Sequence, residues 1–370
     1  MLSNAANAQV LYLGWLGRGN LGDEALWQAF AELVPGAAAF PAPSITRARI
    51  AHLLRGLGMT GWAQGLIRRH QRQYLRDFPG RTVVLGGGTL IGSHSWLDPL
   101  RDALALGYQV HSFGTGMLDM NFWAGRQAYP DDMRDHLAQW RDVLTRFQTL
   151  SVRGVQTRRA LESIGLACEV TGDPVVLFTE QAEVSLPGQR VVGLNWGDAR
   201  GQLWGGDERA VADTLRTLAD ALIRDGWKVL VYAIYGPDAA LCRQWIPTLE
   251  RPAEVELLVE RHDPRRYVQL VRRCDVFVGM KLHATALAFV GQVPAIMLEY
   301  RPKCADFMET MEAGGRNVRC DRLDPASLRA MIETVYADRD AVRRQQHEIS
   351  LQYRQRISDH VGKLDFASSR

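Results

Sequence analysis

A lysine and a histidine two residues apart, Lys281 and His283, are the residues of this chain best suited to chemistry. They follow Gly279 and the apolar run 276–278, a pattern typical of a buried parallel strand that ends in a turn. In an open α/β sheet, the carboxyl end of a strand and the start of the next helix border the ligand crevice. A cation and an imidazole beside free helix N–H groups would suit an anionic ligand, but they would also suit a solvated lysine and a helix cap.

Four apolar runs in the first half of the chain also end at turns that could bind a ligand. Residues 10–13 lead to the glycine-rich segment 14–22, residues 82–85 to Gly86–Thr89, residues 109–113 to glycines 114 and 116, and residues 149–152 to Arg153. We expect these runs to be strands of one sheet whose loops share an edge. An arginine at a strand end that points into a cleft needs an anionic partner.

The glycine-rich segment matches the dinucleotide-binding pattern through Gly17, Gly19 and Gly22. The next strand offers no acidic residue for a ribose, and Asp23 and Glu24 would place two negative charges beside a pyrophosphate. We therefore do not expect a dinucleotide here. The two carboxylates would by themselves stabilise the start of a helix.

The second half of the chain repeats the alternation of strands and helices. Residues 180–189 are polar and are interpreted as a linker, after which a strand ends at Asn195 and another spans 228–232. The pattern predicts an α/β protein with two Rossmann-like domains facing across a cleft, at residues 1–180 and 190–325, and a helical C-terminal tail at 326–370.

Composition restricts the classes of function. The 370 residues carry a net charge of +3, so no global field favours nucleic acid, and five scattered cysteines indicate reduced thiols in a cytoplasmic protein. We expect neither a signal peptide nor a membrane span. The basic stretch 45–76 is open to two interpretations: peripheral contact with the inner face of a membrane or with a diphosphate-linked acceptor, or a solvated helical pair.

In order along the chain, six motifs resemble those of the polysaccharide pyruvyl transferases. They are Gly17–Glu24 with its Gly-Asn-Leu-Gly-Asp-Glu ending, Gly86–Leu90, Ser151–Arg153, Gly172–Pro174, Leu282–His283 and Tyr300–Lys303. The resemblance implies a GT-B-like fold, with the acceptor on the N-terminal side and the donor on the C-terminal side. It also implies transfer of the pyruvyl group of phosphoenolpyruvate onto a sugar of a cell-surface polysaccharide precursor as a ketal, with release of phosphate and without a metal or other cofactor.

The resemblance also implies site residues. Arg153, Lys281 and His283 are expected to be catalytic, with His283 protonating the methylene carbon of phosphoenolpyruvate. The expected substrate-binding residues are Gly19, Asn20, Asp23, Gly87, Gly88, Thr89, Asp173, Asn195 and Lys303. The base for the sugar hydroxyl stays open among Asp23, Glu24 and Asp173, each of which could instead have a structural role.

Three motifs depart from the family pattern. Lys281 stands where the family usually has an arginine, Gly154 where it has an aspartate, and Gly92-Ser93 where the triple-glycine loop usually leads to an acid. Lysine keeps the charge but loses the bidentate geometry of arginine. Two alternatives to the pyruvyl transferase therefore remain: a GT-B glycosyltransferase that uses a sugar nucleotide, and a non-catalytic relative. Whether the acceptor is lipid-linked is also open.

Overall fold

The computed structural model describes residues 8–41, 60–124, 133–180 and 188–364. By contacts the chain divides into two compact units. The first is formed by the described residues within 1–17, 30–171 and 359–370, and the second by those within 18–29 and 172–358.

The first unit contains two parallel sheets of four strands each, in the orders β2-β1-β3-β5 and β4-β6-β7-β8. The strands are β1 (Val10–Leu13), β2 (Ala38–Ala39), β3 (Thr82–Leu85), β4 (Gly88–Ile91), β5 (Gln109–Ser112), β6 (Thr115–Met117), β7 (Ser151–Val152) and β8 (Glu169–Val170). All four residues of β1 and of β3 are buried, as expected for parallel strands covered on both faces.

The second sheet differs from the expectation that the four turns lie on one sheet edge. The glycine triplet 86–88 and the segment after Gly114 continue into β4 and β6. The glycine triplet passes close to the Tyr12 side chain: a Cβ on Gly86 would lie 2.0 Å from its ring, and the N–H of Gly87 donates to its hydroxyl at 3.1 Å. The glycines therefore let an extended chain pass directly over Tyr12.

Helices flank these sheets. They are α1 (Leu21–Leu33), α2 (Thr60–Asp77), α3 (His94–Ala105), α4 (Met120–Trp123), α5 (Met133–Leu144) and α6 (Val155–Glu162). Two arginines of α2, Arg68 and Arg72, form ion pairs with Asp102 of α3, at 3.2 Å and 3.8 Å. Part of the charge of the basic stretch 45–76 is therefore compensated within the fold, while residues 45–59 lie outside the described residues.

The second unit is built on one parallel sheet of six strands in the order β11-β10-β9-β12-β13-β14. The strands are β9 (Val191–Asn195), β10 (Lys228–Ala233), β11 (Val255–Val259), β12 (Val276–Gly279), β13 (Ala295–Glu299) and β14 (Asn317–Arg319). Counted from β9, this is the 3-2-1-4-5-6 order of the Rossmann fold, whose ligand crevice lies where the order reverses, between the first and fourth strands.

The second unit also supplies the remaining helices. They are α7 (Glu208–Arg224), α8 (Gly236–Trp245), α9 (Pro264–Val271), α10 (Leu282–Val290), α11 (Pro302–Thr310), α12 (Pro325–Ala337) and α13 (Arg339–Lys363). The predicted strand and helix around Lys281 and His283 correspond to β12 and α10. None of the helices in the described part of the chain combines the length and apolar character needed to cross a bilayer.

The division by contacts differs from the sequence-based boundaries at three places. The predicted tail 326–370 is divided, since its residues up to 358 group with the second unit and its described residues from 359 group with the first. Residues 18–29, at the start of α1, group with the second unit, and so do residues 172–180, because the 3-10 turn Pro174–Phe178 packs against α10. Most of the predicted linker, residues 181–187, lies outside the described residues.

Helix α13 is anchored to the second unit by one buried amide, Gln346. Its side chain donates to the carbonyls of Phe289 at 3.1 Å and Val293 at 2.9 Å, and it accepts from the N–H of Ala295 at 3.1 Å. The connection between α10 and β13 thus has its backbone groups satisfied by a side chain from a distant helix.

We expect Gln346→Leu to lower the free energy of unfolding by roughly 2–4 kcal/mol, since each buried group left without a partner costs about 1–3 kcal/mol. Chemical denaturation measures the change. Leu351→Gln, at an exposed position of the same helix, is the control and should stay within about 0.5 kcal/mol of the wild type. A loss no larger than that of the control would contradict the anchoring role.

Candidate active site

The candidate site of the second unit begins where the sheet order reverses, between β9 and β12. The backbone carbonyl of Asn195, the last residue of β9, accepts from the N–H of Met280 at 2.9 Å. Its side-chain oxygen accepts from the N–H of Lys281 at 2.9 Å, and its amide donates to the carbonyl of Tyr232 at 2.8 Å. Asn195, which is buried, therefore fixes the turn that starts α10 by hydrogen bonds to the backbone.

Lys281 has protein partners of its own. Its ammonium group lies 3.5 Å from the carboxylate of Asp238, which is buried, and it donates to the carbonyl of Asp198. Burial raises the pKa of Asp238, and the charge of Lys281 opposes this shift. A Cβ on Gly197 would lie 2.2 Å from the Asp238 carboxyl carbon, so this turn needs glycine to cover the ion pair.

His283 lies in the first turn of α10, and Asp173 contacts its Nε2 edge. The two atoms Nε2 and Oδ2 are 3.6 Å apart, and the Asp173 side chain is fully buried. The other carboxylate oxygen accepts from the N–H of Val175 at 3.1 Å and so caps the 3-10 turn. Gly172 has φ of +94° and a Cβ there would lie 2.7 Å from the ring of Tyr353, which explains the glycine before the aspartate.

The opposite edge of the imidazole lies against the glycine-rich segment. A Cβ on Gly22 would lie 2.1 Å from Nδ1 of His283, so no other residue fits this position without moving the ring. The segment is held there by two bonds: the N–H of Leu21 donates to the carbonyl of Ile234 at 3.0 Å, and the N–H of Gly22 donates to the Asn20 side chain at 3.1 Å. Asn20 thus stabilises the start of α1.

Gly19 and Gly17 give this segment its shape. Their φ values of +65° and +70° are in the left-handed region that favours glycine. A Cβ on Gly19 would lie 3.7 Å from the guanidinium of Arg261, which follows β11. Gly19 therefore allows a turn that closes on the end of the second unit's sheet.

Asp23, one residue after Gly22, is a carboxylic acid of the site whose pKa is strongly raised. The residue is partly exposed to solvent. Burial of its carboxyl group raises its pKa from 3.8 to about 6, even though the positive charges of His283, Lys303 and Arg18 oppose the shift. Asp23 can therefore change its protonation state near neutral pH.

Three cations surround the ring of Tyr300, at the end of β13. The ammonium groups of Lys281 and Lys303 lie 5.8 Å and 5.0 Å from its centroid, and the Arg301 guanidinium lies 5.0 Å away. Arg301 also donates to the backbone carbonyl of Gln202 at 2.7 Å, so it holds the loop after β9. Lys303, in the first turn of α11, is close enough to Asp23 to influence its pKa.

In the first unit, Arg153 lies close to the segment of the glycine triplet and Thr89. Its guanidinium is buried and donates to the Thr89 hydroxyl at 3.4 Å. A Cβ on Gly116 would lie 2.7 Å from the same guanidinium nitrogen, and Gly88 has φ of +105°. Gly87 binds Tyr12 through its N–H, as described above.

The predicted residues thus form two groups, one in each unit. The second unit holds Gly19, Asn20, Asp23, Asp173, Asn195, Lys281, His283 and Lys303, and the first holds Gly87, Gly88, Thr89 and Arg153. The convergence of Arg153 with His283 on one ligand stays a prediction. Within the described residues, no group of three or more histidines, cysteines or acids is arranged to hold a metal ion.

Asp238 is the principal residue of the site that sequence reasoning missed. It follows Gly236 and Pro237 at the start of α8, directly after β10. The signal was present, because a strand followed by glycine and proline predicts a turn at the carboxyl edge of the sheet.

The comparisons with known proteins show the family and the fold. The family model described as "Polysaccharide pyruvyl transferase" matches residues 20–302, more than half of the chain. The chain belongs to the polysaccharide pyruvyl transferase family. No curated protein matches it by sequence.

Solved structures similar to this pyruvyl transferase family member share its fold at low identity. They include a putative UDP-N-acetylglucosamine 2-epimerase from Listeria monocytogenes (TM-score 0.57, 11% identity, covering 97% of this chain and 98% of that one). The UDP-GlcNAc 2-epimerase from Neisseria meningitidis bound to UDP-GlcNAc has a TM-score of 0.55 at 10% identity, with coverages of 94% and 98%. MurG from Acinetobacter baumannii has 0.52 at 12%, with 96% and 100%. The pyruvyl transferase family member therefore has a GT-B-like fold of two Rossmann-like α/β domains.

Two departures from the family pattern lie at helix N-caps in this family member. Gly154 is the N-cap of α6 and makes no side-chain cap bond, so the capping function of an aspartate is absent there. Ser93 is the N-cap of α3 and its hydroxyl accepts from the N–H of Ser95 at 3.4 Å. Serine at this position therefore stabilises a helix start.

The contact between Gly22 and His283 gives a direct test. We expect Gly22→Ala to displace the imidazole and to lower the free energy of unfolding by about 1–3 kcal/mol, the usual cost of overpacking. Denaturation and the NMR resonances of the His283 ring report the two effects. Gly362→Ala, in open space within α13, is the control and should not destabilise the protein. Unchanged His283 resonances in Gly22→Ala would contradict this contact.

The raised pKa of Asp23 makes stability depend on pH. Because the folded state binds this proton more tightly than the unfolded chain, the contribution of Asp23 to the free energy of unfolding falls as pH rises from about 4 to about 6. Asp23→Asn removes this cost, so we expect the variant to be more stable than wild type by about 1–3 kcal/mol near pH 7. Denaturation between about pH 4 and 7 measures the difference, and a difference that does not grow across this range would contradict the shift.

Proposed function

We propose that this protein transfers the pyruvyl group of phosphoenolpyruvate onto two hydroxyls of a saccharide, forming a ketal and releasing phosphate, in the synthesis of a cell-surface polysaccharide or exopolysaccharide. The observation that carries the proposal is the placement of His283 between Asp173 and Gly22 at the switch point of a Rossmann-type sheet. Family membership supports the reaction class.

The second unit offers the groups that a small anion with two charged ends requires. Helices α10 and α11 both begin at the carboxyl edge of the sheet, and neither has a side-chain bond at its N-cap, Lys281 or Arg301. The free N–H groups at the start of α10, and those that follow Pro302 in α11, suit the phosphate or the carboxylate of phosphoenolpyruvate. Lys303 adds a cation there, and we propose that Arg153 adds one from the first unit.

His283 is proposed to donate a proton to the methylene carbon, which makes C2 of the donor electrophilic. Asp173 faces Nε2 and fixes the orientation of the ring. Phosphoenolpyruvate itself supplies both the transferred group and the leaving group. The proposal therefore requires neither a metal nor another cofactor.

The acceptor is proposed to be a saccharide, and a lipid-linked one is compatible with helix α2. Trp62 of this helix is 72% exposed, and Arg69 and Arg76 are exposed on the same helix. An aromatic side chain with nearby arginines suits the interface of an anionic membrane. We thus place the protein in the cytoplasm, with peripheral contact at the inner face of the membrane through residues 45–76.

The alternative enzyme is a glycosyltransferase that uses a sugar nucleotide. The fold similarity supports this alternative, because the Neisseria meningitidis epimerase of similar fold binds a sugar nucleotide, UDP-GlcNAc. A non-catalytic relative is the third candidate, since Lys281 and Gly154 depart from the family pattern.

A comparison of released products tests the function. The purified protein is incubated with phosphoenolpyruvate and a panel of free and lipid-linked saccharides, and phosphate and the saccharide mass are followed. Phosphate release with a ketal on the saccharide is the expected result. Release of nucleoside diphosphate from a sugar nucleotide would favour the glycosyltransferase, and phosphoenolpyruvate binding without turnover would favour the non-catalytic relative.

We expect His283→Ala to lower kcat by about 10²–10⁴-fold, the usual contribution of a positioned acid. The variant should still fold but with a lower Tm, because the ring packs closely against Gly22 and Asp173, so turnover is measured well below that Tm. His262→Ala, at an exposed position after β11, is the matched control and should retain turnover. Near-native turnover in His283→Ala would refute the acid role.

A further inference from the structure

The imidazole of His283 has carboxylates near both of its edges, and their surroundings differ. Asp173 faces Nε2 from a fully buried position. Asp23 follows Gly22, the residue whose missing side chain leaves room for Nδ1. Asp23 is also close enough to His283 for the imidazole to influence its ionisation.

Asp173 and Asp23 differ in their exposure to solvent, and this difference indicates different roles. Asp173 caps a 3-10 turn and has no exposed side-chain surface, so it holds the ring but does not face a ligand. Asp23 is partly exposed to solvent, so a ligand can reach it. A carboxylate in this state is available to accept a proton from a bound molecule.

Resting on the function proposed above, we propose that Asp23 is the general base that deprotonates the attacking saccharide hydroxyl, while His283 is the acid. Glu24 is the neighbouring acid, but consecutive helical residues point about 100° apart around the axis, so the two cannot share one direction. The base thus comes from the glycine-rich segment that sequence patterns assign to a dinucleotide.

The two residues complete a closed proton cycle. Protonated His283 gives its proton to C3 of phosphoenolpyruvate, and the first hydroxyl forms a C–O bond to C2 as Asp23 takes its proton. The C2–O bond to phosphate then breaks, and Asp23 returns that proton to the leaving phosphate. The second hydroxyl attacks C2 and its proton goes to neutral His283, which restores both residues.

The charged groups that face Asp23 determine the pH at which this cycle operates. They are His283 from α10, Lys303 from α11, and Arg18 and Glu24 from its own segment. The active form has Asp23 ionised, so we expect kcat/KM to fall at acidic pH. This acidic limb of the pH profile should belong to Asp23 and lie near pH 6.

Asp23→Asn tests the assignment, with Glu24→Gln as the matched control one residue away. We expect Asp23→Asn to lower kcat at least about 100-fold, to leave the affinity for phosphoenolpyruvate nearly unchanged, and to remove the acidic limb from the residual activity. The variant should also be at least as stable as the wild type, which separates lost catalysis from lost folding. Asp23→Glu should recover part of the rate, and Glu24→Gln should keep it.

Four results would overturn the assignment. Near-native turnover in Asp23→Asn, an unchanged acidic limb, or a loss confined to phosphoenolpyruvate binding would each remove the base role while wild-type phosphate release still supports the proposed function. If the wild-type protein releases nucleoside diphosphate from a sugar nucleotide instead of phosphate from phosphoenolpyruvate, the proposed function fails and this proton cycle fails with it.

Discussion

The contact on which the second unit's site depends is the packing of a glycine backbone against an imidazole. Gly22 lies so close to His283 that a methyl group there would overlap Nδ1, and Asp173 lies at the opposite edge of the same ring. The ring is thus held between a glycine at the start of α1 and an aspartate at the 3-10 turn. Segments more than 100 residues apart in sequence must all be in place before the histidine has one orientation.

This constraint explains why the glycine-rich motif resembles a dinucleotide site without the chemistry of one. In a dinucleotide fold the glycines let a pyrophosphate approach the start of the helix. Here Gly22 lets a protein side chain approach, and the following Asp23 places a carboxylate where a pyrophosphate would be repelled. The glycine therefore allows a close contact with a protein side chain instead of a pyrophosphate. The acidic residues Asp23 and Glu24, which would repel a pyrophosphate, are consistent with this.

Much of the architecture could be predicted from sequence, because buried parallel strands give short apolar runs and their turns carry glycine. The strand before Lys281, the helix after it, and the turn at Asn195 follow from local pattern. The passage of the glycine triplet over Tyr12 could not, because it depends on a ring 75 residues earlier in the chain. The role of Asn195 was also hidden, since a polar residue at a strand end looks the same whether it binds backbone or ligand.

Lys281, which departs from the family pattern, has partners within the protein for most of its N–H donors. An ammonium group has three N–H donors, and here one donates to the Asp198 carbonyl while another is directed at the Asp238 carboxylate. A single remaining donor cannot reproduce the two-pronged contact of an arginine with phosphate or carboxylate. Under the proposed function, recognition of the anionic donor depends more on the N–H groups of α10 and α11 and on Lys303, and Lys281 mainly fixes the turn that presents His283.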